Sequence, residues 1–319
     1  MKKILLVALA AAAMVGCSQN EEIENAGQKA EIKFNTVVKA GTKAAVTDIN
    51  ALEGTGFIVS AYNTGTTETG AVLPEAFIVG KEVSHSTGSW AIAGGTYYWP
   101  LNDFVQFFAY AKDGNAKNYV VASGKSYPTV DYTVAAVESQ QDFVVAKLTG
   151  QKKSATAIAL PFTHALTQVN FSVKAGNSAL KYVVNKITIS GLYNAGTYSF
   201  EDGTWANTGT TDASYDYTIG TGEAVTVTGT DAKNLAQTDG ALMLMPQTMS
   251  GDAKITISYD VFDGNTQVDA VKNSEVSLTG KTSWEAGKNI RYTLDLTSEG
   301  ASINLDPSVG PWADETSGI

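Results

Sequence analysis

The sequence predicts an all-β protein built as two β-sandwich domains in tandem, residues 31–160 and 161–319. Three observations predict it. Apolar residues alternate with polar ones at a period of two from Ile32 to the C-terminus, as strands with one buried face require. Helical periodicity is almost absent. Clusters of Gly, Asn, Asp and Thr at residues 62–70, 112–118, 203–214 and 263–267 separate the runs, supplying the turns that many short strands need.

The front of the chain reads separately. Lys2-Lys3, an apolar run from Ile4 to Val15 and then Gly16 have the layout of a secretory signal. The run is too short for a transmembrane helix, which needs about 20 apolar residues. Cys17 is the one cysteine of the chain. Met14-Val15-Gly16-Cys17 resembles a bacterial lipoprotein box, in which the cysteine is acylated and becomes the new first residue. The alternative is an ordinary signal that happens to contain a cysteine. A lone thiol in an exported chain has no disulfide partner. Each buried lipid methylene contributes about 0.8 kcal/mol, so a multiply acylated terminus anchors stably. Residues 1–16 are thus expected to be the signal and 17–30 a flexible tether. Ser18 to Asn25 is polar and acidic, with no core to join. That stretch resembles the surface-display signal of Bacteroidetes lipoproteins, or is a plain solvated linker.

Along the mature chain, Ile32-Lys33-Phe34-Asn35-Thr36-Val37 alternates as a first strand. Residues 48–53 are the one short helix expected. Residues 57–61, 104–111 and 143–146 are apolar but for Ser60 and Gln106 and predict central strands covered on both sides. A domain boundary falls near residues 152–164, where the polar run Gln151-Lys152-Lys153-Ser154 gives way to Leu160-Pro161-Phe162. Beyond it, residues 169–173, 187–190, 225–228, 255–259, 292–296 and 303–305 set β-branched or aromatic residues on one face. Thr, Ser or Asn occupy the other, so each is expected to be half-buried. Asp113-Gly114 and Asp263-Gly264 are the strongest hairpin signals.

Composition narrows the function. A net charge of −10 argues against nucleic acid as a partner, because phosphate binding needs a basic stripe. Ser-His-Asp catalysis would need one of two histidines. His85 sits in loop-like Ser-His-Ser-Thr-Gly, and His164 reads as a hydrogen-bonded structural residue. Transition-metal ligand spacing is missing. Residues 263–269 set oxygen ligands at alternate positions but lack the sixth-position glycine and closing Glu of an EF-hand. Paired carboxylates carry no information in a chain with 32 acidic residues. No enzyme, cofactor or metal is indicated.

Three segments carry a family resemblance. The first is Tyr97-Tyr98-Trp99-Pro100 followed by Val105 to Tyr110, and the second runs from Leu160 to Phe171. The third begins at Leu244-Met245-Pro246-Gln247, continues from Trp284 to Leu294 and ends at Val309-Gly310-Pro311-Trp312. In this order, behind a lipoprotein signal, they resemble the fimbrillins of Bacteroidales, subunits of type V pili. The resemblance implies two tandem transthyretin-like β-sandwich domains, a lipid-anchored precursor on the outer membrane, and later a place in a surface fimbrium that supports adhesion. It implies that a maturation protease removes the N-terminal segment with its first strand, here Ile32, Phe34 and Thr36. The C-terminal strand of another subunit would then fill the groove by strand addition. Lys39 and Lys43 lie where such a protease could cut, although arginine-specific processing in the family needs an Arg there. Ile303, Leu305 and Val309 alternate as a donor face; equally, Ile303 to Leu305 is the last strand of its own sandwich. The competing function is a glycan-binding surface lipoprotein with Trp205, Tyr193 or Tyr198 as exposed aromatic platforms. Trp99 and Trp284 are expected to be buried.

Overall fold

The computed structural model describes residues 29–38, 48–217, 219, 225–235, 241–280, 283–303 and 308–311. Within these the chain is almost wholly β, and its single α-helix is α1 (Asp48–Thr55). A seven-stranded sheet runs β1 (Phe34–Val38), β9 (Ile158–His164), β8 (Val144–Gln151), β5 (Phe104–Ala111), β2 (Phe57–Gly65), β3 (Ile78–Ser86) and β4 (Ser89–Ile92). Every neighbouring pair is antiparallel except β1 with β9. The three apolar runs lie at its centre, as their composition demands. Val59 and Phe107 point into one core while Tyr62, Phe108 and Val145 point into another. The sheet curls on itself, because Phe34 of β1 packs edge-on against Phe57 of β2 and Phe107 of β5.

A four-stranded sheet follows the order β13 (Trp205–Thr208), β12 (Ala195–Ser199), β7 (Thr129–Thr133), β6 (Ala116–Val120). It joins strands from both sides of residue 160: Ala195 pairs Thr133 and Ser199 pairs Thr129. Aromatic rings line it. Phe200 meets Phe108 at 5.6 Å and Tyr198 at 5.2 Å, and Tyr132 stacks on Phe143 at 4.3 Å. Each such pair contributes about 0.5–1.5 kcal/mol beyond area burial.

The rest is a sandwich. Its six-stranded sheet runs β16 (Lys233–Asn234), β10 (Thr167–Ala175), β20 (Lys288–Leu296), β21 (Ala301–Ile303), with β17 (Leu242–Leu244) also on β10 and β22 (Ser308–Pro311) also on β20. Its five-stranded sheet runs β14 (Ala213–Tyr217), β11 (Lys181–Leu192), β18 (Lys254–Asp263), β19 (Thr266–Ser277), with β15 (Val225–Val227) on β11. Phe171 of β10 meets Tyr217 of β14 at 4.9 Å across the core.

Two local expectations are corrected. Asp113-Gly114 does not close a hairpin: the chain crosses there from β5 to β6, which pairs β7. Asp113 instead accepts hydrogen bonds from the Asn115 backbone N–H at 2.8 Å and the Tyr132 hydroxyl at 2.7 Å. Asp263-Gly264 does turn β18 back onto β19, with Asp263 opposite Thr266 and Gly264 at φ 59°. The second correction is β10, expected half-buried but buried along both faces. Its polar residues form hydrogen-bonded cross-strand rungs: Ser172 donates to Asn234 Oδ1 at 2.8 Å, and Asn289 donates to Gln168 Oε1. A polar group kept hydrogen-bonded can be buried at little cost.

Candidate functional site at the first strand

The alternation Ile32-Lys33-Phe34-Asn35-Thr36 produces a strand with two unlike faces. Ile32, Phe34 and Thr36 are 2%, 5% and 3% exposed, while Glu31, Lys33 and Asn35 face solvent. β1 lies at the edge of its sheet, with Phe34 opposite Ile158 and Val38 opposite Phe162. The Ile158 N–H donates to Lys33 O at 2.9 Å. Just ahead of β1 the chain is tied on its other side: the Ile32 N–H donates to Tyr97 O at 2.8 Å, and the Trp99 N–H to Ala30 O at 2.9 Å. This segment therefore ties the start of β1 to the connection between β4 and β5.

From Phe34 onward the second edge of β1 has no strand partner among the described residues. Beside residues 31–35 a cleft of about 640 Å³ opens between the start of β1 and β4, with Trp90 and Ile92 on the far wall. Trp90 packs on Phe57 at 5.0 Å and on His85 at 4.9 Å. Behind β1 lie Phe57, Phe107, Trp99, Leu160 and Phe162, all nearly or wholly buried. Lifting β1 away would open a groove floored by these side chains.

The other predicted residues divide. Cys17, Lys39, Lys43 and Leu305 lie outside the described residues, as do the side chains of Ile303 and Val309. The backbone of β21 and β22 runs antiparallel along β20, setting Ile303 opposite Leu294 and Val309 opposite Ile290. In this structure both C-terminal strands complete their own sheet. Of the three aromatic platform candidates, Tyr198 is buried, and Trp205 and Tyr193 are half-buried. Tyr198 is 7% exposed, and Trp205 packs on Tyr198 at 5.3 Å while its Nε1–H donates to Ala165 O at 2.7 Å. Tyr193 is half-buried, its backbone bound on both sides by the Gln247 amide. Trp99 and Trp284 are buried, and the Trp284 Nε1–H donates to the Tyr292 hydroxyl at 2.9 Å.

His164 is buried with Nδ1 2.6 Å from Asp142 Oδ2, and His85 lies 3.7 Å from Glu53 on α1. Among the described residues, no three His, Cys, Asp or Glu side chains are grouped to hold a metal. No described helix is long and apolar enough to cross a membrane. What the sequence reading missed is the parallel pairing of β1, the cleft beside it, and the want of a partner for the buried Thr36 hydroxyl among the described residues. The only sequence signal for the last was a Thr at the third inward position.

A profile of the family described as fimbrillin-like matches residues 42–312, from just behind β1 to just past β22. The chain belongs to the fimbrillin-like family. Among relatives of this fimbrillin-like chain is the fimbrium subunit Fim1C of Phocaeicola vulgatus, 25% identical over an alignment covering 98% of this chain and 97% of that protein. The fold resembles the crystal structure of a fimbrial protein from Bacteroides vulgatus, with TM-score 0.71 and 20% identity. That match covers 89% of this chain and 99% of the other.

Proposed function

We propose that this chain is a structural subunit of a cell-surface fimbria, exported as a lipoprotein through Cys17 and assembled by strand exchange. In this reading a protease cuts between β1 and α1, at Lys39 or Lys43, and separates β1 covalently from the domain it seals. The C-terminal segment of another subunit then occupies the vacated groove, with Ile303, Leu305 and Val309 at alternate positions. The partners are other fimbrial subunits, the maturation protease and, before processing, the outer membrane. The observation that carries the reading is β1 itself: an edge strand with one ladder, whose inner side chains fill a core built by strands downstream. Burying an Ile or Phe contributes roughly 1.5–3 kcal/mol, so a donor matching these positions would hold durably. Membership in the family and similarity to a fimbrium subunit support the same conclusion. The chemistry is assembly rather than catalysis.

The test is an immunoblot of material sheared from the cell surface, run with and without boiling. A ladder of subunit multiples that collapses on boiling to one band, shortened by about the first 40 residues, is the expected result. A single full-length band under both conditions, retained with the membranes, overturns it.

A further inference from the structure

The core sealed by β1 contains two buried polar atoms with no hydrogen-bond partner among the described residues: Thr36 Oγ1 and Trp99 Nε1. One of them belongs to β1. Thr36 is 3% exposed, so its hydroxyl has surrendered water without gaining an acceptor or donor. The backbone N–H of the same residue is also turned to its neighbour, donating to Asn35 Oδ1 at 2.9 Å. A buried hydroxyl left unpaired destabilises the state that buries it, whereas a valine of the same shape carries no such penalty. The strand is thus less tightly held than its site permits. Ile32 and Phe34 show that the groove accepts large apolar side chains at the two preceding inward positions. The C-terminal segment, by contrast, carries Ile303, Leu305, Pro307 and Val309 at alternate positions, with no hydroxyl among them.

The position of Thr36 matters as much as its chemistry. It lies in β1 proper, which among the described residues is laddered to β9 alone, on the side of Phe34 closest to the connection leading to α1. A strand leaving from that end breaks one set of hydrogen bonds, and Thr36 follows Val38 and Val37 out, regaining water for its hydroxyl before Phe34 and Ile32 leave the core.

We propose that Thr36 makes β1 a placeholder strand: it seals the core before assembly and sets how fast the cut strand yields its groove. The inference rests on the strand-exchange reading above and adds the residue that tunes it. After the cut, β1 stays bound by its buried side chains and ladder until a donor arrives. The orphan hydroxyl keeps that hold weak enough to be displaced.

The test uses the mature chain with a site-specific protease sequence in place of residues 40–44. A dye on Cys17, its only cysteine, marks the fragment that carries β1. Gel filtration and fluorescence follow that fragment after the cut, with and without a synthetic peptide spanning residues 299–312. Without peptide the dye should co-elute with the domain; peptide should release it. The variant Thr36→Val should release about tenfold more slowly, and its uncut form should melt at or above the wild-type temperature. Thr36→Ser, which keeps the hydroxyl, should release at the wild-type rate or faster. Displacement at equal rates in wild type and Thr36→Val overturns the placeholder role and leaves strand exchange standing. A lower melting temperature for Thr36→Val overturns it too. If the peptide displaces nothing in any variant, the exchange reading falls and takes this inference with it.

Discussion

Phe34 ties the first strand to two strands that are not its neighbours. Its ring sits 5.9 Å from Phe57 and 5.7 Å from Phe107, so it joins β1 to β2 and β5 across the core. Phe34→Ala should therefore cost the uncut chain about 3–5 kcal/mol in urea unfolding, the range for emptying a buried aromatic site. Lys33→Ala, one residue away on the solvent face, should stay within about 0.5 kcal/mol of wild type. Equal effects from the two would contradict the facing of β1. The pattern behind this contrast was legible in the sequence, because Ile32, Phe34 and Thr36 recur at the strand period. What that pattern could not reveal is that Thr36 finds no partner, since a hydroxyl's partner is set by other strands.

Among the elements, the β3–β4 hairpin carries a local conflict. Its two turn residues, Thr87 and Gly88, have φ of 49° and 78°, the left-handed region that a two-residue turn of this kind requires. Glycine adopts it freely; a β-branched threonine does so under strain. Thr87→Asn should raise stability by about 0.5–1 kcal/mol, read from the urea midpoint. A fall would mean that the Thr87 side chain supplies something the backbone angles do not reveal. Elements whose signals are local were readable: the apolar runs became β2, β5 and β8, Asp263-Gly264 became a hairpin, and residues 48–53 began α1. Elements defined by distant partners were not. Asp113-Gly114 has hairpin composition, yet the strand after it pairs forward with β7, because β5 already has β2 and β8 at its edges. Nor does any local pattern announce that β7 and β12 share a sheet, or that β10 needs polar rungs on a face with no solvent.

At the scale of the molecule, burial of tyrosines links stability to alkaline pH. Burial pushes Tyr217 and Tyr198 from their ordinary value of 10.0 up to about 12, with Asp202 adding to the shift at Tyr198. Burial moves Tyr132 and Tyr215 in the same direction. An unfolded tyrosine ionises near 10, so the unfolded chain gains charge before the folded one releases its protons. Stability is full below about pH 10 and should fall between there and pH 12, by about 1.4 kcal/mol per pH unit for each tyrosine so shifted. Urea unfolding followed from pH 8 to 11.5 measures it, and a flat profile would exclude the linkage. The parallel pairing of β1 with β9 also has a consequence in time. Phe34 must wait for Ile158, more than a hundred residues downstream, before its ladder can form. Contacts of such long separation are slow to close. The first strand to emerge during synthesis is therefore among the last to dock, and a chain caught before that moment presents an unsealed, sticky seam to whatever surrounds it.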